Sequence, residues 1–596
     1  VEALLEQSSV DENLKKLVLG KAGGNPLFVE ELTHSLLDTG AIGKSGGTYV
    51  LTKKISDIEV PDSLQAVIAA RIDRLEETLK HVLQVASVIG REFAFRVLKE
   101  ILKMKEELRQ HLANLQGLEF VYEKTLFPEL EYIFKHAMTQ EVAYSNLLLQ
   151  RRKDFHRLAA EAIEKLYAET LQEHLGPLAF HFYRAEAWEK AFKYLTAAGE
   201  RARFAYAARE AIDYFDKAVE VSRKIPDAVS KEQLMQLYES RGRTWQVLME
   251  VEKAADDFQN EITLLRELGD KKKEAQALIN LANCYGTVGG LADIDKVREY
   301  FDKAHKLIKE TGDAAGEVRY QIFVGSSMIA SSGLIAEGEA HLQKAIDTCR
   351  KVGNKRGMGP AIGFLGLGHM FLGNFETGMK KVIESREIAR EIGNHFLLVS
   401  SFHWSILGHA GLGEYDEAFK DLEDLLNGSN EIGSQHLIAL VSNHYGWIYN
   451  ELCNFKKAIV YDQNGVDISQ RLEDWECEIF SLLNLVGDHI SLGDYDKAQH
   501  YLDEVQKKRE LKWYRTRQWR YGMHYSRYMS ELSLLKGDYP KAMEFAEDTL
   551  AQGQHTAAKK YISMGFKLKG QVLTELERIT EAAECFEKGM DLADQM

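Results

Sequence analysis

The chain has 596 residues, of which 45% are hydrophobic and 28% are charged, so it is long enough for two or more packed domains and is not globally disordered. Its formal net charge of −16 repels phosphate backbones and anionic lipids, so we expect no nucleic-acid or membrane partner for the chain as a whole. Five scattered cysteines without a C-x-x-C pair argue against disulfides and a zinc ribbon, and they predict a reducing, cytoplasmic location.

The start of the chain indicates a sharp turn between two helices. Val1 is not followed by a basic segment and an apolar run, so no signal peptide is visible, and we expect the natural protein to begin further upstream. Residues 20–32 read GKAGGNPLFVEEL, in which glycines end one helix and Pro26 begins the next. A turn of this kind presents free backbone N–H groups at the helix start.

A short glycine-rich hairpin is predicted over residues 46–52. The tripeptide Gly43-Lys44-Ser45 before it is not a P-loop, because Asp38 rather than glycine stands five residues before Gly43 and a hairpin rather than a helix follows. We interpret the tripeptide as a turn. No Walker-B acid on an apolar strand and no other catalytic motif in a fitting context is apparent, so we predict that this chain alone is not an enzyme.

Scattered polar residues give no further site. His403 and His409 are six residues apart, a poor spacing for shared ligation on one helix face, and we predict no metal site. The acid pairs Glu30-Glu31 and Asp256-Asp257 are predicted to lie on solvated helix faces.

Three segments of the N-terminal part of the chain carry a family resemblance. They are GNPLFVEEL, the helix VPDSLQAVIAARIDRL (residues 60–75) with a cap signal at Asp62 and Ser63, and a segment beginning EYIFKHAMTQEVAYSNLLLQRRKDFHRL (residues 131–164) that follows the strand-like LEFVYEK. Together they resemble the part that follows the nucleotide-binding core in STAND-class signal-transduction ATPases. The bacterial branch, with an adenylate/guanylate cyclase or kinase domain in front and tetratricopeptide repeats behind, is the most similar.

The resemblance implies roles for a few residues. In that family the Gly-x-Pro turn abuts the adenine of the bound nucleotide, which here would place Gly24, Asn25 and Pro26 beside the base. A winged-helix domain follows, and His136 stands where a histidine of some relatives approaches the phosphates. The alternatives are that Asn25-Pro26 is only a helix start and that His136 is a helix-start or packing histidine. The chain alone would hold no cofactor, whereas the full-length protein would bind ATP or ADP.

The remaining two thirds of the chain is an internal repeat. Segments such as LGEYDEAFKDLEDL and LGDYDKAQHYLDEV place an aromatic residue three positions before a small one and a bulky residue four after it. The small anchors recur once per repeat, at Gly378, Ala418, Ala458, Ala498, Ala542 and Ala582, with weaker copies at Ala191, Ala211, Ala254, Val297 and Gly338. A small anchor lets two antiparallel helices touch, and the larger residues fill the seam between them. The pattern resembles the tetratricopeptide repeat, with a period of about 40 residues against the usual ~34.

Three stretches between the anchors contain no Asp, Glu, Lys or Arg: residues 357–375, 394–413 and 433–450. Their histidines, glycines and serines, and their recurrence at one phase of the repeat, argue against membrane spans. They are predicted to be first helices packed on both sides. A second interpretation is that they also line an apolar groove that accepts a ligand.

One basic and aromatic cluster stands out in the acidic chain. Residues 507–528 read KKRELKWYRTRQWRYGMHYSRY, and arginine with aromatic residues makes good binding hot spots. The candidates for partner binding are Arg515, Arg517, Trp519, Arg520, His524 and Arg527. The alternative is that the aromatic residues pack a longer first helix and the arginines snorkel or pair with neighbouring acids.

The sequence therefore predicts a mainly helical protein. Residues 1–60 would end an ATPase module, 61–177 would form a small winged-helix-like α+β domain with linking helices, and 178–596 would form a tetratricopeptide-type α-solenoid of about ten hairpins. The leading hypothesis is a regulatory, sensing segment of a multidomain signalling ATPase.

Its repeats would bind a protein, a peptide or a small-molecule inducer in the solenoid groove and relay that event to an upstream nucleotide-binding core and effector. Oligomerisation would be compatible with such a switch. Two other hypotheses are a free-standing repeat scaffold and the sensor part of a transcription regulator, although no basic recognition helix is evident.

Overall fold

The computed structural model describes residues 1, 3–5, 9–45, 47–53, 61, 63–104, 106–125, 129–286, 293–509 and 518–596. The chain divides into two compact units. The first comprises Val1–Ala198 and Lys217–Ala228, and the second comprises Gly199–Asp216 and Val229–Met596.

The first unit is a small α+β assembly. Its helices are α1 (Glu12–Ala22), α2 (Pro26–Asp38), α3 (Leu64–Asp73), α4 (Glu77–Ile89), α5 (Phe95–Leu102), α6 (Glu107–Gly117), α7 (Ala137–Ser145), α8 (Leu149–Leu166), α9 (Leu175–Arg184) and α10 (Trp188–Phe204). Its strands are β1 (Ser9–Val10), β2 (Ile42–Ser45), β3 (Thr48–Leu51), β4 (Glu92–Ala94), β5 (Val121–Thr125) and β6 (Glu131–Phe134). They form two three-stranded sheets, ordered β1-β3-β2 and β4-β6-β5.

The predicted hairpin is present, but the tripeptide before it is a strand and not a turn. Gly43, Lys44 and Ser45 belong to β2, which pairs antiparallel with β3 so that Ser45 lies opposite Thr48. The sequence prediction was wrong because it placed the whole strand pair after residue 45. The next element after β2 is a strand, so this tripeptide does not begin a helix as a phosphate-binding loop does.

Two of the acidic residues predicted to face solvent are buried. Glu31 on α2 is 3% exposed and pairs with Arg71 of α3. In the second unit, Asp257 is 1% exposed and accepts two hydrogen bonds, of 2.9 and 2.6 Å, from the Arg241 guanidinium. Consecutive helical residues point about 100° apart, so one member of an acidic pair can face the core while the other faces water.

The second unit is built from antiparallel helices. Helices α10 and α11 (Ala208–Lys224) contribute to both units, and the remaining ones are α12 (Lys231–Val247), α13 (Val251–Leu268), α14 (Lys271–Gly286), α15 (Ile294–Thr311), α16 (Ala314–Ser327), α17 (Ile335–Val352), α18 (Lys355–Phe371), α19 (Phe375–Glu391), α20 (His395–Gly411), α21 (Tyr415–Ile432), α22 (Gln435–Glu451), α23 (Phe455–Arg471), α24 (Trp475–Ser491), α25 (Tyr495–Arg509), α26 (Gln518–Leu535), α27 (Tyr539–Thr556), α28 (Lys559–Glu575) and α29 (Ile579–Ala593). From α12 onward they form successive helical hairpins, which confirms the predicted tetratricopeptide-type solenoid.

The repeat anchors lie where two helices of a hairpin approach most closely. Ala418, Ala458 and Ala498 are fully buried near the starts of the second helices α21, α23 and α25. Where the anchor is glycine the approach is closest, since a Cβ on Gly378 would lie 2.8 Å from the carbonyl oxygen of Gly366 on the preceding helix. The small residue is therefore required by helix–helix contact, as the sequence predicted.

Contacts over almost constant separations show that the second unit coils back on itself. The indole N–H of Trp519 donates to the carbonyl oxygen of Ala330 (3.1 Å), 189 residues earlier. Lys559 donates to Asn374 (3.2 Å) over 185 residues, and the His395 amide donates to the Tyr206 hydroxyl (3.0 Å) over 189. One superhelical turn thus takes between four and five of the repeats.

The three uncharged stretches correspond to α18, α20 and α22, the first helices of their hairpins. Each has buried residues all around its surface, which is typical of a helix packed on both sides. Among the residues described, no helix combines the length and the apolar character that crossing a bilayer requires.

Candidate ligand-binding cavity

The superhelical turn of the second unit encloses a cavity of about 540 Å³. The first helices of six consecutive hairpins, α18, α20, α22, α24, α26 and α28, provide most of its lining. One set of lining residues, the aromatic wall, is apolar and includes three aromatic rings; it comprises Pro360, Phe364, Leu367, Phe396, Trp404, Leu407 and Leu440. The Phe364 and Trp404 rings pack with their centroids 5.1 Å apart.

The repeat places equivalent residues of successive first helices into the cavity. One row, with the same spacing as the anchors from Ala418 to Ala582, runs through Phe396, His436, Glu476, Arg520 and Lys560. A second row, four residues later in each helix, runs through Ser400, Leu440, Phe480 and His524. Residues four apart lie on one helix face, so the same face of each first helix lines the cavity.

Four histidines line the cavity; His436 is hydrogen-bonded to Asp474, and the other three are His403, His444 and His524. Nδ1 of His403 and Nε2 of His444 are 2.7 Å apart, and Nε2 of His524 is 2.5 Å from the hydroxyl of Tyr561. Burial lowers the pKa of His403 and His524 well below the usual value and lowers that of His444 to about 4, and the positive charge of Arg520 adds to each shift. The three imidazoles are therefore neutral near pH 7 and can donate or accept hydrogen bonds.

Arg520 is the main cationic group of the cavity. Its guanidinium lies over the Phe371 ring and over the Phe480 ring, 4.7 Å from each centroid. Across the described part of the chain it has no hydrogen-bond or ion-pair partner. The two rings stabilise the cation by cation–π contact but leave its N–H groups unsatisfied.

Lys560 adds a second cation. Its ammonium lies 5.6 Å from the centre of the Trp447 ring and, within the described ranges, forms no hydrogen bond or ion pair. Burial lowers the pKa of Lys560, the Glu451 carboxylate opposes that shift, and Arg527 reinforces it. Burial also raises the pKa of Tyr561 to about 12, so this cavity-lining phenol stays protonated.

Three of the six predicted partner-binding residues line the cavity: Trp519, Arg520 and His524. Arg527 is half-buried but lies outside the lining, and its guanidinium donates to Glu531 at 3.1 Å. Arg515 and Arg517 lie outside the described residues. Among the described residues of the cluster, Trp519, Arg520 and His524 thus line the cavity, whereas Arg527 pairs with a neighbouring acid.

Lys560 and Tyr561 were missed as cavity residues, because they lie outside both the basic cluster and the uncharged stretches. Phe371 belongs to the uncharged stretch 357–375, for which the second interpretation predicted an apolar groove. The signal that finds Lys560 is repeat phase, since it occupies the position of Arg520 in the next repeat. Phe371 reaches Arg520 only because the superhelix closes on itself, and no local pattern records that closure.

The predicted nucleotide-contact residues lie in the first unit. Gly24 has a φ of +83°, Asn25 caps α2 by accepting from the amides of Leu27 (3.0 Å) and Phe28 (3.3 Å), and Pro26 is the first residue of that helix. Gly24, Asn25 and Pro26 are all exposed. The turn therefore has the predicted local structure, with the Asn25 side chain used as a helix cap.

His136 lies close to the same helix α2. Its Nε2 atom is 3.6 Å from a carboxylate oxygen of Glu30, four residues after Pro26, and Lys135 also pairs with Glu30. The fold thus brings His136 to the helix that the Asn25-Pro26 turn begins. Lys135 also contacts Glu119 at 2.5 Å, so this corner of the unit is a compact network of charges.

Two groups in the described part of the chain could offer three ligands to a metal ion. His436, Asp474 and Cys477 form one, and Glu30, His34 and Glu119 form the other. In the first, Asp474 already caps α24 by accepting from the Cys477 amide (3.2 Å), and in the second, Lys135 neutralises both carboxylates. Each group is thus explained by contacts within the chain.

No model of a protein family matches the sequence. An uncharacterized protein of Rhizobium meliloti strain 1021 is 24% identical over 217 residues, which are 36% of this chain and 20% of that protein. The chain therefore spans about a fifth of the length of this curated relative.

Several solved structures show low similarity. The Rap protein complexed with Competence and Sporulation Factor is 13% identical, with 61% of this chain and 99% of that chain covered and a TM-score of 0.46. A STAND protein with a tetratricopeptide repeat sensor from Pyrococcus horikoshii is 16% identical, with coverages of 97% and 69% and a TM-score of 0.30. The apo quorum sensor NprR from B. thuringiensis is 15% identical, with coverages of 58% and 97% and a TM-score of 0.38. The class of fold rests on the chain's own helical hairpins, which define a tetratricopeptide-type α-solenoid.

Proposed function

We propose that the chain is the ligand-sensing segment of a STAND-class signalling ATPase, in which the repeat solenoid binds a small ligand or peptide. The observation that carries the sensing role is the cavity of about 540 Å³ that one superhelical turn encloses. Its volume lies in the usual range of ligand sites, and its aromatic wall with a few convergent polar groups is their usual chemistry.

The connection to a nucleotide-dependent switch has separate support in the first unit. The order helix, strand, two helices and two strands from α4 to β6, with the sheet order β4-β6-β5, is the order expected of a winged-helix domain. The Asn25-Pro26 turn opens α2, and His136 approaches Glu30 on that helix. Such residues would sense the nucleotide of an upstream core.

The mechanism that we propose is a two-state switch. Ligand in the cavity would favour one arrangement of the full-length protein and nucleotide would favour or oppose it, so that each affects the affinity for the other. The free energy of such coupling is typically about 1–3 kcal/mol, which is roughly 5- to 150-fold in affinity. The catalytic step of the effector would lie outside this chain.

The sensing role is tested with an uncharged fluorescent probe of cavity size, N-phenyl-1-naphthylamine. We expect the chain to bind it with enhanced fluorescence, and the Ser400→Trp variant to bind it at least about tenfold more weakly because the indole occupies the cavity. Ser400→Ala is the matched control and should bind normally. Equal binding by all three proteins would show that the probe does not enter the cavity and would contradict the sensing role.

The nucleotide connection is tested on the protein produced by the native gene. We expect it to bind a fluorescent ATP analogue, and Pro26→Ala to weaken that binding while leaving probe binding in the cavity unchanged. Gly20→Ala, at an exposed position of α1 where a Cβ would contact nothing within 4 Å, is the control. A native protein without nucleotide affinity would instead support the free-standing scaffold.

A further inference from the structure

We infer that the ligand of the cavity is a small amphipathic organic anion, whose acidic group pairs with Arg520 and Lys560 and whose apolar body lies against the aromatic wall. The inference rests on the proposed sensing function and narrows its ligand to one chemical class. A carboxylate, a sulfonate or a phosphate would present the same recognition chemistry to the two cations.

Arg520 differs from three other arginines that are shielded from water, each of which pairs with a carboxylate. Arg71 pairs with Glu31 at 2.5 Å, Arg241 with Asp257 at 2.6 Å and Arg386 with Asp421 at 3.2 Å. An arginine side chain removed from water normally has such a carboxylate partner.

In the part of the chain that the structure describes, Arg520 has none, although it is half-buried. The carboxylate among the lining residues is that of Glu476, which already has a partner. A guanidinium and an ammonium without acceptors, inside a protein of net charge −16, therefore call for an anion supplied from outside.

The geometry of the Arg520 guanidinium also suits an anion. Phe371 and Phe480 cover it at 4.7 Å each, so the remaining access to Arg520 is at its N–H edges. Those edges are the part of arginine that recognises a carboxylate or phosphate with two parallel hydrogen bonds. The rings also fix the orientation of the side chain, which reduces the entropy lost on binding.

The polar groups near the two cations also suit an anion. Arg520 and Lys560 line the same cavity at equivalent positions of consecutive repeats, and His524 and Tyr561 line it beside them in sequence. The imidazole of His524 and the hydroxyl of Tyr561 provide neutral hydrogen-bonding groups there, 2.5 Å apart. Neutral donors beside two cations strengthen an anion site without adding a competing negative charge.

The size of the cavity suits a small organic molecule. A cavity of about 540 Å³ admits a molecule of metabolite size, and a long polymer would not be enclosed by it. The aromatic wall around Phe364, Phe396 and Trp404 provides apolar surface that a simple inorganic anion would leave unused. A molecule with an acidic group on an aromatic or aliphatic body would contact both the two cations and the aromatic wall.

The test uses two probes that differ by one acidic group. 1-Anilinonaphthalene-8-sulfonate is the anionic counterpart of the uncharged N-phenyl-1-naphthylamine. We expect the chain to bind the sulfonate at least about tenfold more tightly, as one charge-assisted hydrogen bond predicts. Arg520→Met should remove most of that preference, measured as the ratio of the affinities of the same variant for the two probes.

Lys560→Met is the second variant, so that a folding defect in one does not decide the outcome. Lys567→Met, which removes an exposed charge on the same helix α28, is the control and should behave as the parent chain.

The outcomes separate this inference from the proposed function. If the uncharged probe enters the cavity but the sulfonate gains nothing, or if both Met variants keep its preference, the anion inference is wrong while the sensing role stands. If neither probe responds to Ser400→Trp, the cavity does not bind such ligands and both proposals fail.

Discussion

Arg71 and Glu31, 40 residues apart in sequence, form an ion pair of 2.5 Å in which both side chains are almost fully buried. The same guanidinium contacts Asp38 at 3.2 Å and donates to the Leu118 carbonyl at 2.9 Å, and it stacks on Phe120 at 4.8 Å. One side chain therefore joins α2, α3 and the segment before β5 in the core of the first unit.

We predict that Arg71→Met destabilises the first unit by about 3–5 kcal/mol, because the Glu31 carboxylate is left buried without its counter-charge. The double variant Glu31→Gln with Arg71→Met should recover part of the loss. Lys80→Met removes a more exposed ion pair with Asp73 and should cost less than about 1 kcal/mol. Hydrogen exchange in Val1–Ala198 measures the stability of each variant. Similar exchange in Arg71→Met and Lys80→Met would contradict the central role of Arg71.

A second prediction concerns the close contact between the helices α16 and α17. A Cβ on Gly338 would lie 2.7 Å from the carbonyl oxygen of Gly325 and 2.7 Å from Ile329, both too close for an unaltered backbone. We expect Gly338→Ala to destabilise the second unit by about 1–3 kcal/mol, because the helices must separate.

The matched control is Gly286→Ala on α14, where a Cβ would meet its nearest neighbour at an ordinary 3.5 Å. It should change the stability by less than about 1 kcal/mol. Urea unfolding followed by circular dichroism compares the two variants, and equal midpoints would show that the glycine contact is not a constraint on the repeat.

These contacts illustrate how far the sequence determines the fold. The small anchors are predictable because the same helix contact recurs in every repeat, and a period can be read without any knowledge of distant contacts. Closure of the superhelix is different, because a contact such as that between Trp519 and Ala330, 189 residues apart, depends on the summed crossing angles of several hairpins. No motif specifies that sum.

The cavity likewise contains residues that the sequence pattern predicts and residues that only closure of the superhelix brings there. Arg520 and His524 were predicted as ligand-binding residues because arginine and aromatic residues cluster there in sequence. Lys560 follows from repeat phase, but the placement of Phe371 beneath the Arg520 guanidinium follows from closure alone. Burial of Glu31 could likewise not be predicted from the sequence, because an acidic residue on a helix is expected to face solvent unless its partner on another helix is known.

The third prediction is a loss of stability in mild acid that comes from two histidines of the first unit. Nδ1 of His156 and Nδ1 of His181 are 2.9 Å apart, and both side chains are at most 2% exposed. Burial, followed by the charges of His181, Arg184 and Arg152, lowers the pKa of His156 to about 3. Burial lowers the pKa of His181 to about 4, although a hydrogen bond with the Ile89 backbone partly opposes this shift. The Tyr144 hydroxyl, 3.0 Å from His156, carries no charge that could favour protonation.

The folded state therefore keeps both rings neutral, whereas the unfolded chain protonates them near pH 6.5. The free energy of unfolding keeps its full value above that pH and decreases as the pH falls from about 6.5 towards 4. At pH 5.5 each histidine should lower the free energy of unfolding by about 1 kcal/mol relative to pH 7.5. His156→Gln should reduce the difference between the two pH values by about that amount, as measured by urea unfolding with proteolysis of the first unit. An unchanged pH difference in this variant would show that another group causes the acid sensitivity.

The last prediction links closure of the superhelix to ligand binding. The indole of Trp519 lines the cavity, donates to the Ala330 carbonyl at 3.1 Å, and packs on Gly333, where a Cβ would lie 2.9 Å from the ring. Trp519→Phe keeps an aromatic ring but removes the donor and leaves that carbonyl without its partner. We expect the affinity for N-phenyl-1-naphthylamine to fall by about fivefold, the equivalent of one hydrogen bond.

Hydrogen exchange in the short π-helical segment after α16, Met328–Ser332, should become faster in the same variant. Trp245→Phe, outside the cavity lining, is the control for loss of a tryptophan. Unchanged exchange together with unchanged probe affinity would mean that the superhelix stays closed without the hydrogen bond between Trp519 and Ala330. Faster exchange with lower affinity would show that ligand binding and superhelical closure stabilise each other, which is the coupling that a sensor solenoid needs.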